Sequence, residues 1–555
     1  MINKMKTQTL AYGIAAFYNA VSLPALSAET VYLNQWGFTP SQNKIAVIPA
    51  DSSSPFTVTM LKNGKQVMSS NTQPSGTWDD AGMTVSIADL SPVVTPGEYR
   101  LHIEGAEPVI FRVSAEPYSV LHDAAMKAYY YNRAGMALDQ AFAGKWHRAA
   151  GHPDTDTLTL HAPDSPSRKR SKGWYDAGDY NKYIVNSGIS TYTLLRAYLD
   201  HSDFYDTRHW NIPESMNERA DILDEILWNL DWMRSMQDDD GGVHHKLTTL
   251  NFAGAVMPDE ATATRYATAK STAATLNFAA VMSVAARVFE EQRDDYLKRA
   301  ERALRWAQAN PKRYYTNEDK VKTGQYGDNA LIDEHNWAAL EYAISRNDKD
   351  EVASRVSRLA SISTPSWANV TGLSYLSALR DASELLSEHQ YEQVKAGLTA
   401  YADQQVVTMQ ENAFRVPAAT GDFVWGSNAV MMNKAMLLEI AFELTQQQAY
   451  RDAALALVDY IAGRNPTGYS FVTGFGTQSP RFIHHRPSEA DGIADPVPGW
   501  LAGGPQNGHQ DNCRYLSDLP ATSYLDDWCS YSTNEITINW NAPLVYVLGS
   551  LTADR

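Results

Sequence analysis

The chain of 555 residues carries only two cysteines, Cys513 and Cys529. Two thiols build neither a disulfide framework nor a four-cysteine zinc site. Cationic side chains are also scarce: 47 Lys and Arg face 64 Asp and Glu, a formal net charge of −17. So acidic a chain repels a phosphate backbone, which excludes nucleic acid as a partner. It leaves a neutral or a cationic ligand open. There is no repeat of fixed period and no low-complexity tract. Beyond the N-terminus no segment reaches the roughly 18 uncharged apolar residues of a spanning helix, so no membrane-embedded body is expected.

What is present describes a folded chain, with 44 % apolar and 20 % charged residues. The length suggests two or three units, or one large body with an appendage. The 30 Tyr, 15 Phe and 14 Trp will mostly fill cores, but an aromatic excess also suits stacking on pyranose faces. Residues 1–28 read as an export signal. Lys4 and Lys6 precede an apolar stretch from Leu10 to Leu26, and Ala25-Leu26-Ser27-Ala28 offers a small-residue cleavage site. The expected location is therefore secreted or periplasmic.

Residues 29–115 read as β. Thr30–Leu33 and Lys44–Ile48 are short β-prone runs, and Phe56–Leu61 alternates before the turn Asn63-Gly64. Gly97–Ile103 and Val109–Val113 keep the period of two, which suggests a small β-sandwich. After Pro117 the apolar period becomes helical. About twelve helical stretches follow, starting near 119, 187, 218, 268, 293, 333, 350, 369, 389, 427, 448 and 535. Long loops at 144–186, 239–266, 310–332, 409–426 and 464–534 separate several of them. Such loops are usually functional, and a toroid of helix pairs tolerates them at one rim. With no Pro/Ser-rich linker near 115, the β unit is expected to dock on the helical body.

Three stretches stand out chemically. In Gly173-Trp174-Tyr175-Asp176-Ala177-Gly178-Asp179-Tyr180, two carboxylates lie three apart around Ala-Gly. Held in one cavity, they cannot ionise independently, which suits acid–base work. The plain alternative is a helix N-terminus with stabilising acids. Glu535 sits among aromatics, and desolvation there keeps a proton available; the alternative is a capping glutamate at the last helix. In Ile483-His484-His485-Arg486-Pro487, extended backbone sends neighbours to opposite sides, so His484 and Arg486 share a side. They suit polar-ligand binding better than zinc.

Together these stretches resemble glycoside hydrolase family 9, the inverting cellulases. The C-terminal pattern is carried by Tyr524, Asp526, Tyr531, Glu535, Thr537, Asn541 and Ala542. His484 and Arg486 supply the His-x-Arg motif, and Asp-Ala-Gly-Asp is intact. Gln478 departs from the usual basic or Asn residue. Val31–Gly37 resembles the opening of an immunoglobulin-like domain that precedes one subgroup. The resemblance implies a mainly α fold: an (α/α)6 barrel over 116–555, preceded by a small all-β immunoglobulin-like sandwich over 29–115. It implies Asp179 as general base, Glu535 as general acid and Asp176 as support for the water. His484 and Arg486 would bind sugar hydroxyls near the cleavage point. Trp425 stands where the family places a sugar platform. Trp540, five residues past Glu535, stands where the family often has Tyr. The resemblance implies no cofactor for the chemistry.

Tyr326-Gly327-Asp328 through Asp333-Glu334-His335 resembles the family's structural calcium stretch, with Asp333 and Glu334 as ligands. Asp238-Asp239-Asp240-Gly241-Gly242 is a weaker candidate. Relatives often hold zinc with Cys and His between the first helix and the active-site loop. Here residues 132–152 contain no cysteine, so zinc is not expected. Cys513 and Cys529 bracket the loop before Glu535, and an exported protein can join them. The expectation is a monomer that hydrolyses β-1,4-glucan, as an endoglucanase or a cellodextrinase. The rivals are an exo-β-glucosaminidase on chitosan oligosaccharides and a non-catalytic glucan-binding protein. The intact Asp176, Asp179 and Glu535 argue against the second.

Overall fold

The computed structural model describes residues 29–162 and 164–553; the export signal expected over 1–28 lies outside the described residues. Seven strands form two antiparallel sheets. One has the order β1 (Ile45–Pro49), β5 (Met83–Asp89), β4 (Gln73–Trp78). The other runs β3 (Gln66–Asn71), β2 (Pro55–Met60), β6 (Gly97–Ile103), β7 (Val109–Val113). Alternation builds the core between them. On β6, Tyr99, Leu101 and Ile103 are buried while Arg100 and His102 face out. The turn Asn63-Gly64 does join β2 to β3, with Gly64 at φ +69°.

Two features differ from the sequence reading. Strands β4 and β5 are additional, and β4 hid because Pro74 and Gly76 lie in it. They sit at a bulge where its register with β5 shifts, a place that tolerates both residues. Thr30–Leu33 is not a strand. Tyr32 makes one bridge to Val47, and the chain then turns onto the helical body.

That contact is polar and buried. Asn34 donates to Asp459 at 2.7 Å, the Trp36 indole to Ser470 at 2.8 Å, and Gln35 to the Gly468 carbonyl at 2.8 Å. The β unit is thus docked, as the missing linker suggested.

Twelve long helices follow: α1 (Ser119–Tyr131), α2 (Ile184–Asp200), α3 (Asp221–Ser235), α4 (Thr272–Val288), α5 (Arg293–Ala309), α6 (Ile332–Ser345), α7 (Lys349–Val356), α8 (Thr371–Arg380), α9 (Glu388–Glu411), α10 (Ser427–Thr445), α11 (Gln448–Ile461) and α12 (Ile538–Ala553). The even-numbered helices form an inner ring: α2 packs on α4, α4 on α6, α6 on α8, α10 on α12, and α12 back on α2. Each odd-numbered helix covers an inner neighbour, α1 covering α12. This is the (α/α)6 barrel. Sequence shows the division. On outer α5 only Tyr296, Ala300, Ala303, Trp306 and Ala307 are buried, a single stripe. On inner α2 every residue from Ile184 to Ala197 is buried.

The long loops precede inner helices, so they gather at one rim. The other end is plugged by ions. Arg196 bridges Asp200 at 2.7 Å and Asp381 at 2.6 Å, and Arg287 bridges Glu341 at 2.7 Å and Asp381 at 3.0 Å. The open rim is where function has to lie.

Burial pushes Asp459 up to about 6, with Arg464 at 3.5 Å and the Asn34 amide acting in the opposite direction. Removing the amide by Asn34→Ala leaves a buried carboxylate short of a donor. Stability should fall by about 1–3 kcal/mol, read as a lower urea midpoint. An unchanged midpoint would show that the domain contact does not depend on this bond.

Candidate active site

Asp176, Asp179 and Glu535 meet because three backbone segments are tied together. Ala177 bridges Thr537, and His484 bridges Glu535. The Asp176 carbonyl accepts from Ile538 N and from the Thr537 hydroxyl, both at 2.9 Å. The Gly178 carbonyl accepts from Arg486 N at 3.1 Å and from Arg486 Nη1 at 2.8 Å. A Cβ on Gly178 would collide with the His484 carbonyl and lie 3.3 Å from Glu535 Oε1. Glycine is needed here for close approach, not for its dihedral freedom.

Glu535 is not the capping glutamate of the last helix. That helix starts at Ile538, and Glu535 is extended at φ −72°, ψ 160° beside His484. Its carboxyl opens to the cleft yet is deeply enclosed. Burial, then the Asp179 charge, hold its pKa well above the usual carboxylate range.

The two aspartates differ in partners. Asp176 is buried, accepts from Asn186 Nδ2 at 3.0 Å on both oxygens, and accepts from the Tyr326 hydroxyl at 3.0 Å. Burial, then the Asp179 charge, push its pKa well up. Asp179 accepts from the Asn181 amide and, at 3.3 Å, from the Tyr183 hydroxyl. Burial raises its pKa too, but the Arg486 guanidinium opposes this most strongly, and Arg265 adds to it. The Arg486 guanidinium thus favours the charged form of Asp179, whereas only neutral donors oppose the burial of Asp176.

The chain alternates as expected around His484. His485 turns away to Ser488 at 2.9 Å and Asn132 at 3.3 Å. His484 stacks on Trp528 with centroids 4.3 Å apart, and its Nδ1 donates to the Trp528 carbonyl at 2.7 Å. Burial lowers its pKa to about 4, so the ring is neutral and Nε2 is an acceptor facing the cleft. Arg486 Nε donates to the Ala253 carbonyl at 2.8 Å.

Trp425 is 43 % exposed and lies 5.5 Å from the Tyr531 ring, which itself lies 5.7 Å from His484. Trp540 is only 8 % exposed; it packs behind Gly426 and Gly503, where Cβ atoms would fall 2.6 and 3.1 Å from its ring. Trp425 thus offers a face to the cleft, while Trp540 offers an edge at most. Asp526 and Asn541 of the motif are structural. Asp526 accepts from Arg481 N, Phe482 N and Asn534, and Asn541 joins Leu501 N to the Ala125 carbonyl. Cys513 and Cys529 are joined, closing the loop that carries Tyr515 and Trp528.

Sequence reasoning missed Asn181, Tyr183 and Asn186. They follow Asp179 by two, four and seven residues, but only the fold shows that they point back at the aspartates. Tyr326 lay inside the stretch read for calcium, with nothing to mark its hydroxyl as a partner of Asp176.

A family model for glycosyl hydrolase family 9 matches residues 118–548, and one for a cellulase N-terminal ig-like domain matches residues 27–108. The chain belongs to glycosyl hydrolase family 9. A xyloglucan-specific endo-beta-1,4-glucanase, BoGH9A of Bacteroides ovatus, is 39 % identical over 98 % of this chain and 97 % of its own. Endoglucanase D of Acetivibrio thermocellus is 32 % identical over 93 % of this chain and 82 % of its own. Among solved structures, a Bacteroides ovatus GH9 superposes with a TM-score of 0.88 at 39 % identity, covering 94 % of this chain and 98 % of that one.

Gly178→Ala should abolish turnover while leaving the helical circular-dichroism signal in place, because the clash falls on the knot and not on the barrel. Wild-type activity in this variant would show that the three segments can part without cost.

Proposed function

We propose that the protein is an endo-acting β-1,4-glucanase that works by single displacement with inversion, and that its substrates include xyloglucan. The observation that carries this reading is the opposite electrostatic setting of two carboxyl groups beside Gly178. The Arg486 guanidinium favours the charged form of Asp179 against its burial, whereas burial and the Asp179 charge hold the Glu535 carboxyl well above the usual carboxylate range. A glucan-binding protein gains nothing from burying three carboxyl groups in one cleft. The relatives' substrates supply the glucan, and the 39 % identical relative is named as xyloglucan-specific.

In the reaction, Asp179 takes a proton from a water as that water attacks the anomeric carbon. Glu535 gives its proton to the leaving glycosidic oxygen, and the product is released with the inverted anomeric configuration. Asp176, held by Asn186 and Tyr326, shares the water's site without competing as base. His484 Nε2 accepts from a sugar hydroxyl. Arg486 acts doubly: it holds the Gly178 carbonyl and favours the charged form of Asp179. Trp425 and Tyr531 offer faces for ring stacking, and Trp540 supports them from behind.

A structural calcium belongs to the same proposal. Among the described residues no three His, Cys, Asp or Glu converge tightly enough to hold an ion unaided. Asp328, Asp333 and Glu334 are nevertheless mutually close, and the fit is marked by orphaned atoms. Both Glu334 oxygens and Asp328 Oδ2 are buried without a hydrogen-bond partner. Burial and the two neighbouring carboxylates push Glu334 up to about 11. Oxygen-rich, negative and unsatisfied, the group suits calcium once carbonyls complete the shell. When bound, the ion would offset the carboxylate repulsion at the start of α6. The Asp238–Asp240 cluster needs no ion: Lys270 reaches Asp238 at 2.7 Å and Asp240 at 2.9 Å, and Arg168 reaches Asp238 at 3.1 Å. Zinc has no place in the proposal. His152, in the cysteine-free stretch, is engaged by the Tyr175 hydroxyl at 2.8 Å and the Ala261 carbonyl at 2.9 Å.

Glu535→Gln should lower kcat on xyloglucan by roughly 10²–10⁴-fold. It should lose far less on aryl glycosides with a good leaving group. The alkaline limb of the pH profile, where Glu535 surrenders its proton, should vanish with it; the acid limb, where Asp179 gains one, should stay. Asp179→Ala should be inactive and partly rescued by azide. Rescue of an Asp176→Ala variant alone would reverse the two roles. A first product that keeps the β configuration, seen by NMR, would remove the mechanism.

Glu334 has a folded pKa above its unfolded one. The cation-free protein therefore loses stability as pH rises from about 4.5 toward 11. Calcium should restore it, and calcium affinity should rise with pH because Glu334 must release its proton. Melting temperatures with calcium or chelator, at pH 6 and 8, test this. Equal values in all four conditions would sink the calcium site.

A further inference from the structure

Beside Asn181, a partner of Asp179, the loop 249–266 folds over a recess of about 500 Å³. That lies within the range of single small-ligand sites. Buried His152 and Tyr180 and Tyr266 of a small sheet form its back. The loop is built to stay open. Tyr180 donates its hydroxyl to the Val256 carbonyl at 2.5 Å, Thr249 donates to the Asn251 carbonyl at 2.6 Å, and Arg486 anchors the Ala253 carbonyl. The lining includes the small residues Ala253, Gly254, Ala261 and Ala263, and a Cβ on Gly254 would meet nothing within 4 Å.

The recess is coupled to the aspartate pair through one residue. Asn181 lines it, donates to Asp179, and accepts from Thr248 at 2.9 Å and from Thr249 N at 3.1 Å. Phe252 stands at its mouth, 46 % exposed, with the Arg486 guanidinium 5.4 Å from its ring.

The chemistry of the lining restricts the occupant. Asn251, Thr262 and Thr264 point exposed amide and hydroxyl groups at the recess, and none of the three side chains makes a hydrogen bond among the described residues. Glu260 is the one charged side chain in the lining, and its Oε2 already accepts from Met257 N at 3.2 Å. There is no cation for a phosphate or an acid. Neutral hydroxyls are what uncommitted Thr and Asn groups recognise. The ring-stacking faces needed by a glucan backbone lie outside this lining, on the packed group of Trp425, Tyr531, His484 and Trp528.

We propose that this recess is a subsite for a branch sugar, a neutral pentose or hexose linked to the glucan backbone, and that it makes the enzyme prefer branched over linear β-1,4-glucan. The proposal rests on the glucanase reading above and adds a place for the branch. The backbone passes over Asp179 along the aromatic flank, while a branch at one backbone unit drops behind Phe252. Asn181 then links branch occupancy to the position of Asp179.

The test uses the full chain and two substrates, xyloglucan and unbranched cellohexaose. Ala263→Phe, at an exposed lining position, fills the recess; Thr264→Val removes one hydroxyl. The xyloglucan-to-cellohexaose ratio of kcat/KM should fall at least ~10-fold in Ala263→Phe, and by less in Thr264→Val. Equal losses on both substrates would make the recess part of the backbone path, and no change on either would make it empty space; each overturns the proposal. A wild-type protein that cleaves cellohexaose and ignores xyloglucan overturns the branch subsite and leaves the glucanase reading standing. One inert on both removes the glucanase reading and this with it.

Discussion

Everything at the open rim depends on one backbone contact: Gly178 lies so close to the His484 carbonyl that no side chain fits between them. Segments 176–181, 484–486 and 535–538 come from far apart in the chain, yet each donates to or accepts from another through the main chain. Main-chain bonds fix position more tightly than side-chain contacts, since no rotamer intervenes. The consequence is chemical. Glu535 is held beside the aspartate pair at a set distance, and each group's pKa follows from where the backbone puts it.

That placement is costly. Three carboxyl groups in one enclosure oppose folding through desolvation and through mutual repulsion. The protein limits the cost by sharing it unequally. Asp179 receives the field of Arg486, Asp176 receives neutral donors, and Glu535 keeps its proton. Burial alone would neutralise all three. The guanidinium, itself held by the Gly178 and Ala253 carbonyls, sets Asp179 apart as the group whose charged form it favours.

Much of this was legible in the sequence, for physical reasons that differ by level. The helices declared themselves through a 3.6-residue apolar period, and the observed starts of α1, α5, α10 and α11 coincide with the expected ones. Strand β4 was hidden because Pro74 and Gly76 read as breakers, and only the bulge in its pairing makes them acceptable. The aspartates and Glu535 were visible as motif residues. Their ranking came from the resemblance alone, because the groups that distinguish them, Arg486, Asn186 and Tyr326, reach them only through the fold. Glu535 was placed one turn too deep, at a helix start, because a Glu before an apolar run looks like a cap. The recess behind Phe252 had no sequence signal. It is made of small residues and uncommitted hydroxyls, whose meaning lies in the space between them.

The two acidic clusters near the rim show how position decides what an acidic run is for. In Asp238-Asp239-Asp240 the carboxylates lie beside Lys270 and Arg168, so fixed cations close the charge balance within the chain. Around Glu334 no lysine or arginine stands at ion-pair distance among the described residues, and burial removes water as the remaining partner. A buried carboxylate must take up a proton, pair with a cation or bind a metal. The Asp176–Asp179 pair has the second at hand, with the Arg486 guanidinium acting on Asp179. At the head of α6, protonation is the one of these that the described residues supply, and it fails as pH rises, so the proposed calcium would matter most in alkaline conditions.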